Sequence, residues 1–201
     1  MDAARELFGL AWRIPARLLV KLWFGARVTT DPEIHKLRNV IIVCNHPSVL
    51  DPPLLFGRFP RGTWYTGTQK VMLRYPILRI LKALPIVFFP AEGLRKHEMI
   101  RLNQIAGKGR NIVIFPQADC VHPDAEFACY PGFWRVARRA KVEMVYVGID
   151  GTHRIFDWEN DRKIKRGRTV ALKLFGRLGP DCTEEEAIEM FRQMIDSLRT
   201  K

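Results

Sequence analysis

The sequence has no uninterrupted apolar run of the ~20 residues that a membrane-spanning helix needs, so we predict no transmembrane helix. A secretory signal peptide is not expected either, because cations interrupt the apolar N-terminal region and no small-residue cleavage site follows it. Internal repeats and low-complexity linkers are also missing. The 201 residues therefore favour a single domain with a sizeable core.

Cysteine is scarce, with four residues that show no paired framework, so reduced intracellular thiols are expected. Cys120, His122 and Cys129 lie near one another in sequence, but a Cys-x-His with one distant Cys lacks the usual spacing of zinc ligands. We therefore predict no metal site. A nucleophilic role for Cys120 stays open as a hypothesis.

Positive charge is abundant, with a formal net charge of +12. No zinc-finger, RNA-recognition or helix-turn-helix signature accompanies it, so we do not expect a nucleic-acid partner. At about 100° per residue, the cations of the N-terminal segment fall within about 160° of one helix, and apolar side chains occupy most of the remainder. The cations are Arg5, Arg13, Arg17, Lys21 and Arg27. Pro15 is expected to kink or divide this helix.

Residues 1–30 are therefore predicted to form an amphipathic segment lying in the headgroup plane of a membrane. The alternative is a helix that only packs on the domain with its basic face solvated. A second basic cluster is predicted to meet anionic lipid, the phosphates of coenzyme A or an acidic acyl carrier protein, and a solvated loop is equally open. It consists of Arg162, Lys163, Lys165, Arg166 and Arg168.

The remaining residues, 31–201, alternate between strand-like and helical patterns. This alternation predicts a layered α/β domain with a mixed, mostly parallel sheet flanked by helices. Strands are predicted near 40–44, 63–67, 85–89, 111–115, 142–149 and 169–175. Helices are predicted near 51–57, 69–82, 94–108 and 132–140. A final helix is expected to begin with a capping box formed by Thr183 and Glu186.

His46 and Asp51 are the candidate catalytic residues. The β-branched run Val40 to Val43 predicts a buried strand that delivers His46 to a loop, and Asp51 follows near a helix start. A carboxylate at this spacing can bind one ring nitrogen, fix the tautomer and leave the other nitrogen as a base. The alternative on spacing alone is a helix-capping Asp51 beside a structural His46.

The residues around this His-x4-Asp pair favour catalysis. The run Asn45-His46-Pro47-Ser48-Val49-Leu50-Asp51 resembles the Asn-His-x-Ser-x-x-Asp block of the glycerolipid acyltransferase superfamily, of the 1-acylglycerol-3-phosphate acyltransferase (PlsC-like) type. The resemblance covers roughly residues 38 to 150. It implies that His46 deprotonates an acceptor hydroxyl, that Asp51 orients His46, and that Asn45 and Ser48 shape the loop.

A second run resembles the family's Phe-Pro-Glu-Gly-Thr-Arg block, which helps to bind the acceptor. Phe115 and Pro116 match, while Gln117, Ala118, Asp119 and Cys120 stand where Glu, Gly, Thr and Arg are usual. A third block, residues 84–90, ends in Phe89-Pro90 where another Arg is usual. Arginine would clamp a phosphate bidentately, and Cys120 cannot. Gln117 and Asp119 are therefore expected to bind hydroxyls of a neutral acceptor, with Arg95 as a further substrate-binding candidate.

The sequence thus predicts a membrane-associated O-acyltransferase that moves a fatty acyl group from acyl-CoA or acyl carrier protein to a lipid or polyol hydroxyl. The thioester is a co-substrate, and no cofactor is expected. Membrane lipids are the expected partners, with an acyl carrier protein as a further one, for a peripheral or monotopic protein on the cytoplasmic face. The alternatives are a lysophosphatidic-acid acyltransferase that binds phosphate through Arg95 or Arg135, an acyl-hydrolase with water as acceptor, and a non-catalytic lipid-binding relative.

Overall fold

A computed structural model describes residues 2–69, 82–90, 94–156 and 163–199, and these residues build a seven-stranded sheet. The strand order is β1-β7-β6-β2-β5-β3-β4. The strands are β1 (Arg27–Thr30), β2 (Ile41–Cys44), β3 (Trp64–Thr68), β4 (Ile86–Phe89), β5 (Ile112–Ile114), β6 (Met144–Asp150) and β7 (Thr169–Leu178).

Five adjacent strands, from β6 across to β4, run parallel to one another. β7 runs antiparallel to β6, and β1 runs parallel to β7. The predicted mixed, mostly parallel sheet is therefore confirmed. The β-branched runs form the strands because their side chains pack on both covered faces of such a sheet.

Helices cover both faces of the sheet. The α-helices in the described part of the chain are α1 (Asp2–Leu18), α2 (Asp51–Phe56), α3 (Lys96–Gly107), α4 (Gly132–Ala140) and α5 (Glu184–Arg199). Ile42 and Val113 face the core layer that contains residues of α1 and α2, whereas Ile41 and Ile112 face the layer of α3, α4 and α5. Alternate residues of one strand therefore contribute to different core layers.

The C-terminal helix matches its prediction in detail. The Thr183 N–H donates to Glu186 Oε2 over 2.8 Å, and the Glu186 N–H donates to Thr183 Oγ1 over 3.2 Å, which completes the capping box. Ala187, Phe191 and Met194 are buried against the sheet. The helix predicted near 69–82 falls almost entirely on residues 70–81, which lie outside the described residues.

The N-terminal segment differs from its prediction in two ways. α1 continues as a π-helical turn to Trp23 and runs through Pro15 without being divided. Arg27 does not belong to this helix, because it opens β1, which pairs with β7. Placing Arg27 on the helical basic face was therefore wrong. The division at residue 30 stays a prediction, and β1 lies on its N-terminal side.

The packing of the N-terminal helical segment also differs from a helix whose basic face is only solvated, because two of its arginines donate hydrogen bonds to the domain. Ala16 and Val20 are buried in the core, and Arg13 Nη1 donates to the Phe59 carbonyl over 2.7 Å. Arg17 Nε donates to the Gly57 carbonyl over 2.7 Å. The apolar side is exposed instead, with Leu7 69%, Ile14 69%, Leu18 48% and Leu22 64% accessible. Within the described residues, no helix has the length and apolarity to cross a membrane.

Candidate active site

The candidate site lies where two neighbouring parallel strands end. β2 leads into the first loop, residues 45–51, and β5 leads into the second loop, residues 115–121. The two strands are hydrogen-bonded partners, with Val43 opposite Ile114. Because parallel strands end at the same edge of a sheet, their loops meet there. Open α/β sheets generally bind their ligands at this edge.

The first loop brings the two predicted catalytic residues together. His46 Nδ1 lies 2.7 Å from Asp51 Oδ2, within hydrogen-bond distance as the five-residue spacing predicts. Asp51 is fully buried at the start of α2. Its Oδ2 also accepts from the Ser48 N–H over 2.9 Å, while Oδ1 has no hydrogen-bond partner among the described residues. These contacts hold a proton on Nδ1 and leave Nε2 to face the second loop.

Asn45 and Ser48 bind the first loop to two other segments of the same chain. The Asn45 amide donates to the Ile149 carbonyl over 2.9 Å and accepts from the Ile149 N–H, which ties the loop to β6. Ser48 Oγ donates to the Phe156 carbonyl over 3.0 Å and accepts from the Leu50 N–H. Both side chains are buried, so their role in this structure is to stabilise the conformation of the loop.

The second loop supports His46 from its other side. Gln117 is buried, and its Oε1 accepts a hydrogen bond from the His46 backbone N–H over 2.9 Å. The His46 carbonyl accepts from the Val121 N–H over 2.9 Å. The Phe115 ring stacks on the imidazole with centroids 4.5 Å apart. Gln117 thus positions the histidine, a contact that the sequence did not reveal.

The other predicted acceptor residues lie in the turn that follows. Pro116 accepts the Tyr130 N–H through its carbonyl, and the Ala118 N–H closes a turn onto the Phe115 carbonyl. Ala118 has a positive φ of 59°, in the left-handed region that favours glycine, the residue that the family usually has at this position. Asp119 is exposed and accepts the Cys120 N–H over 2.9 Å. Their roles in binding an acceptor stay predictions.

Cys120 reaches the His46 side chain itself. Its Sγ lies 3.5 Å from His46 Nε2, the ring nitrogen that Asp51 leaves open. The sequence hinted at this contact only through the position of Cys120 in the second block. Together the three side chains form the line Cys120–His46–Asp51.

The environment of His46 changes its affinity for protons. Burial disfavours the charged imidazolium, but the hydrogen bonds to Asp51 and Cys120 and the charges of both residues favour it more strongly. The net effect raises the pKa of His46 from 6.5 to about 10. The hydrogen bonds to Asp51 and Cys120 therefore stabilise the imidazolium that forms when His46 accepts a proton.

The predicted cations lie on other elements. Arg95 is exposed and immediately precedes α3, and Arg135 in α4 lies 3.9 Å from Glu184 of α5. Whether either binds a phosphate stays a prediction. Within the described part of the chain, no group of three or more His, Cys, Asp or Glu side chains is arranged to hold a metal ion.

Comparison with known families agrees with this geometry. The family model described as Acyltransferase matches residues 25–150, more than half of the chain and both loops. The chain therefore belongs to the acyltransferase family.

Two curated relatives extend the likeness. The 1-acyl-sn-glycerol-3-phosphate acyltransferase of Cocos nucifera is 24% identical over 88% of this chain and 58% of its own length. The "Probable 1-acyl-sn-glycerol-3-phosphate acyltransferase" of Mycoplasma genitalium is 26% identical over 73% of this chain and 58% of its own. The chain thus spans less than two thirds of the length of these relatives.

A solved structure shares the fold. The 1-acyl-sn-glycerophosphate (LPA) acyltransferase PlsC of Thermotoga maritima superposes with a TM-score of 0.74, over 99% of this chain and 82% of that one. The sequence identity is 18%, so this likeness shows the fold alone.

Proposed function

We propose that the protein is an O-acyltransferase that moves a fatty acyl group from an acyl thioester to a lipid hydroxyl, with His46 as the base and Asp51 as its orienter. The observation that carries the proposal is the His46–Asp51 hydrogen bond at the carboxyl ends of the parallel strands. The family and the names of the relatives support the reaction class. The proposed donor is acyl-CoA or acyl carrier protein.

The chemistry requires one proton transfer in each direction. His46 Nε2 accepts the proton of the acceptor hydroxyl, whose oxygen attacks the thioester carbonyl carbon. The C–S bond breaks, and the imidazolium returns the proton to the leaving thiolate. Asp51 stabilises the imidazolium through Nδ1. General-base catalysis of this kind contributes typically about 10²–10⁴-fold.

A direct assay tests the reaction. The purified protein is incubated with radiolabelled palmitoyl-CoA and a total lipid extract, and the labelled product is identified. We expect one lipid class to gain the acyl group, and the His46→Ala variant to leave it unlabelled. Release of free fatty acid alone would indicate an acyl-hydrolase. Binding of lipid without any transfer would indicate a non-catalytic relative.

The acceptor is proposed to carry a neutral headgroup. The second loop has Cys120 where the phosphate-binding block has an arginine, and the neighbouring Asp119 is exposed in the turn. An arginine–phosphate hydrogen bond contributes about 1.5–3 kcal/mol, so its loss weakens phosphate binding by one to two decades. The names of the curated relatives favour a 1-acyl-glycerol-3-phosphate acceptor instead.

A competition between acceptors decides this point. Equal amounts of monoacylglycerol and lysophosphatidic acid are offered with one labelled donor, and we expect more label in the neutral product. If lysophosphatidic acid is the better acceptor, Arg95→Ala and Arg135→Ala show whether either cation supplies the phosphate site. A loss of lysophosphatidic acid turnover in one of them would overturn the neutral-acceptor assignment.

Contact with an anionic membrane is proposed to occur through the exposed apolar face of α1. Leu7, Ile14 and Leu18 form a stripe at helical spacing, and Leu22 and Trp23 continue it. Exposed apolar patches of this kind mark interaction surfaces. Basic residues lie next to the stripe, since Arg166 Nη2 donates to the Leu22 carbonyl over 2.6 Å.

Liposome flotation tests this surface. A Leu7→Ser/Ile14→Ser/Leu18→Ser variant should lose binding to vesicles of phosphatidylcholine and phosphatidylserine, and high salt should weaken binding of the wild type by screening its cations. Ile100→Ser/Phe175→Ser is a matched control, because both side chains are 38% accessible and lie on other elements. Unchanged flotation of the triple variant would show that α1 does not make the membrane contact.

A further inference from the structure

Cys120 lies directly against His46 Nε2. A group that gives its proton to Nε2 has to occupy this position. The Sγ–Nε2 distance of 3.5 Å and the Nδ1–Oδ2 distance of 2.7 Å place thiol, imidazole and carboxylate in one hydrogen-bonded line. This is the order of nucleophile, base and orienter in a catalytic triad. An acceptor hydroxyl would have to displace the thiol before it could reach Nε2.

We infer that Cys120 is the nucleophile that first receives the acyl group, so that transfer proceeds through an acyl-cysteine thioester. The inference rests on the proposed function and adds a covalent step to it. Cys120 and His46 come from two different loops and meet at the edge of the sheet where the site lies.

The first half-reaction exchanges one thioester for another. The proton of Cys120 moves to His46 Nε2, and the sulfur attacks the carbonyl carbon of the acyl donor. The C–S bond to the carrier breaks, and the imidazolium gives its proton to the departing thiolate. One C–S bond forms and one breaks, so no oxidant or cofactor is required.

The second half-reaction uses the histidine as a base. His46 is neutral after it has protonated the leaving thiol, and Nε2 accepts the proton of the acceptor hydroxyl. The oxygen attacks the acyl-cysteine carbonyl, the C–S bond breaks, and the proton returns to Sγ of Cys120. The raised pKa of His46 favours the imidazolium that forms in each half-reaction.

The other cysteines differ from Cys120 in their surroundings. Cys44 is fully buried, and burial with the nearby Asp51 charge raises its pKa well above the usual value. Burial raises the pKa of Cys129 to about 12, and burial followed by the charge of Glu186 raises that of Cys182. A raised thiol pKa lowers the thiolate fraction that attacks a carbonyl. Cys129 and Cys182 are therefore matched controls.

The test uses the full chain and palmitoyl-CoA without an acceptor. Rapid acid quench and peptide mass spectrometry should find one palmitoyl group on Cys120, removable by neutral hydroxylamine and lost when the acceptor lipid is added. Cys129→Ala and Cys182→Ala should still form this adduct. Cys120→Ala should form none and should transfer roughly a hundredfold more slowly.

Two further measurements do not depend on the alanine variant folding normally. Initial rates of the wild type at varied donor and acceptor should give parallel double-reciprocal lines. The near-isosteric Cys120→Ser should accumulate a hydroxylamine-resistant ester. Intersecting lines without an adduct, or Cys120→Ala transferring at the wild-type rate, would overturn the nucleophile while leaving the acyltransferase proposal intact. An adduct that no lipid acceptor discharges would support the nucleophile and contradict the proposed function.

Discussion

The two loops of the site are built in different ways. The first loop gains its key contacts from within itself, since Asp51 binds the Ser48 N–H and the His46 ring, residues three and five positions away. The second loop acts across the chain, where Gln117 and Cys120 contact His46 from 71 and 74 positions away. The first loop therefore forms the His46–Asp51 pair, and the second loop determines where the imidazole sits and which side chain lies against Nε2.

The largest expected effect comes from the first loop. His46→Ala should lower acyl transfer by about 10²–10⁴-fold because it removes the base. Asp51→Asn should also lower it steeply, because the imidazolium loses its charged partner. Initial rates with labelled palmitoyl-CoA measure both effects, and thermal melting checks that the variants fold.

His97→Ala is the matched control for these variants, because the His97 side chain is 81% accessible and lies in α3. Its transfer rate should match that of the wild type. Near-normal transfer by His46→Ala would show that His46 is not the base.

A smaller effect is expected from Gln117 in the second loop. Gln117→Ala leaves the buried His46 N–H without its acceptor, which lowers the free energy of unfolding by about 1–3 kcal/mol. Because this hydrogen bond fixes the backbone that carries the imidazole, kcat should also fall, by at most about 10²-fold for a misplacement of about 1 Å. Gln117→Glu keeps an acceptor oxygen in place and should retain most of the rate. The sequence instead suggested that Gln117 binds the acceptor. A rise in the acceptor KM with unchanged kcat would favour that role and make the second loop a substrate contact.

The smallest expected effect concerns the pKa of His46, which both loops influence. An NMR titration of the wild-type imidazole should show a pKa of about 10, and both Asp51→Asn and Cys120→Ser should lower it, because hydrogen bonds from both loops raise it. Folding raises this pKa from 6.5, so the imidazolium stabilises the fold below pH 6.5, and that stabilisation is lost as the pH rises through about 10.

A wild-type midpoint near 6.5 would contradict the pairing. A shift in only one of the two variants would assign control of the charge to a single loop.

Periodicity along the chain was sufficient to predict most of the architecture. Strand-like runs identified β2 to β7, and the Thr183–Glu186 capping box identified the start of α5, because both patterns depend on residues close in sequence. β1 was missed because the short edge strand Arg27–Thr30 alternates exposed and half-buried residues and carries charge. Its strand state depends on β7, which lies 142 positions further along the chain, as Arg27 opposite Thr169 shows.

The orientation of α1 shows the same division. The sequence revealed an amphipathic helix, but it did not reveal which side faces the domain. Arg13 and Arg17 donate hydrogen bonds to the Phe59 and Gly57 carbonyls, which fix their side of α1 on the domain, while Leu7 and Ile14 stay exposed. A helical pattern gives the two faces, and only tertiary contacts select the one that packs.

The sequence by itself determined the acyltransferase resemblance, the parallel strands and the His46–Asp51 pair, because a carboxylate five positions along the chain reaches its histidine through local backbone geometry. Only the tertiary structure decided that Gln117 holds the His46 backbone and that Cys120 meets Nε2. These contacts join distant segments and arise because β2 and β5 are adjacent and parallel in the sheet, so that both loops leave the same edge.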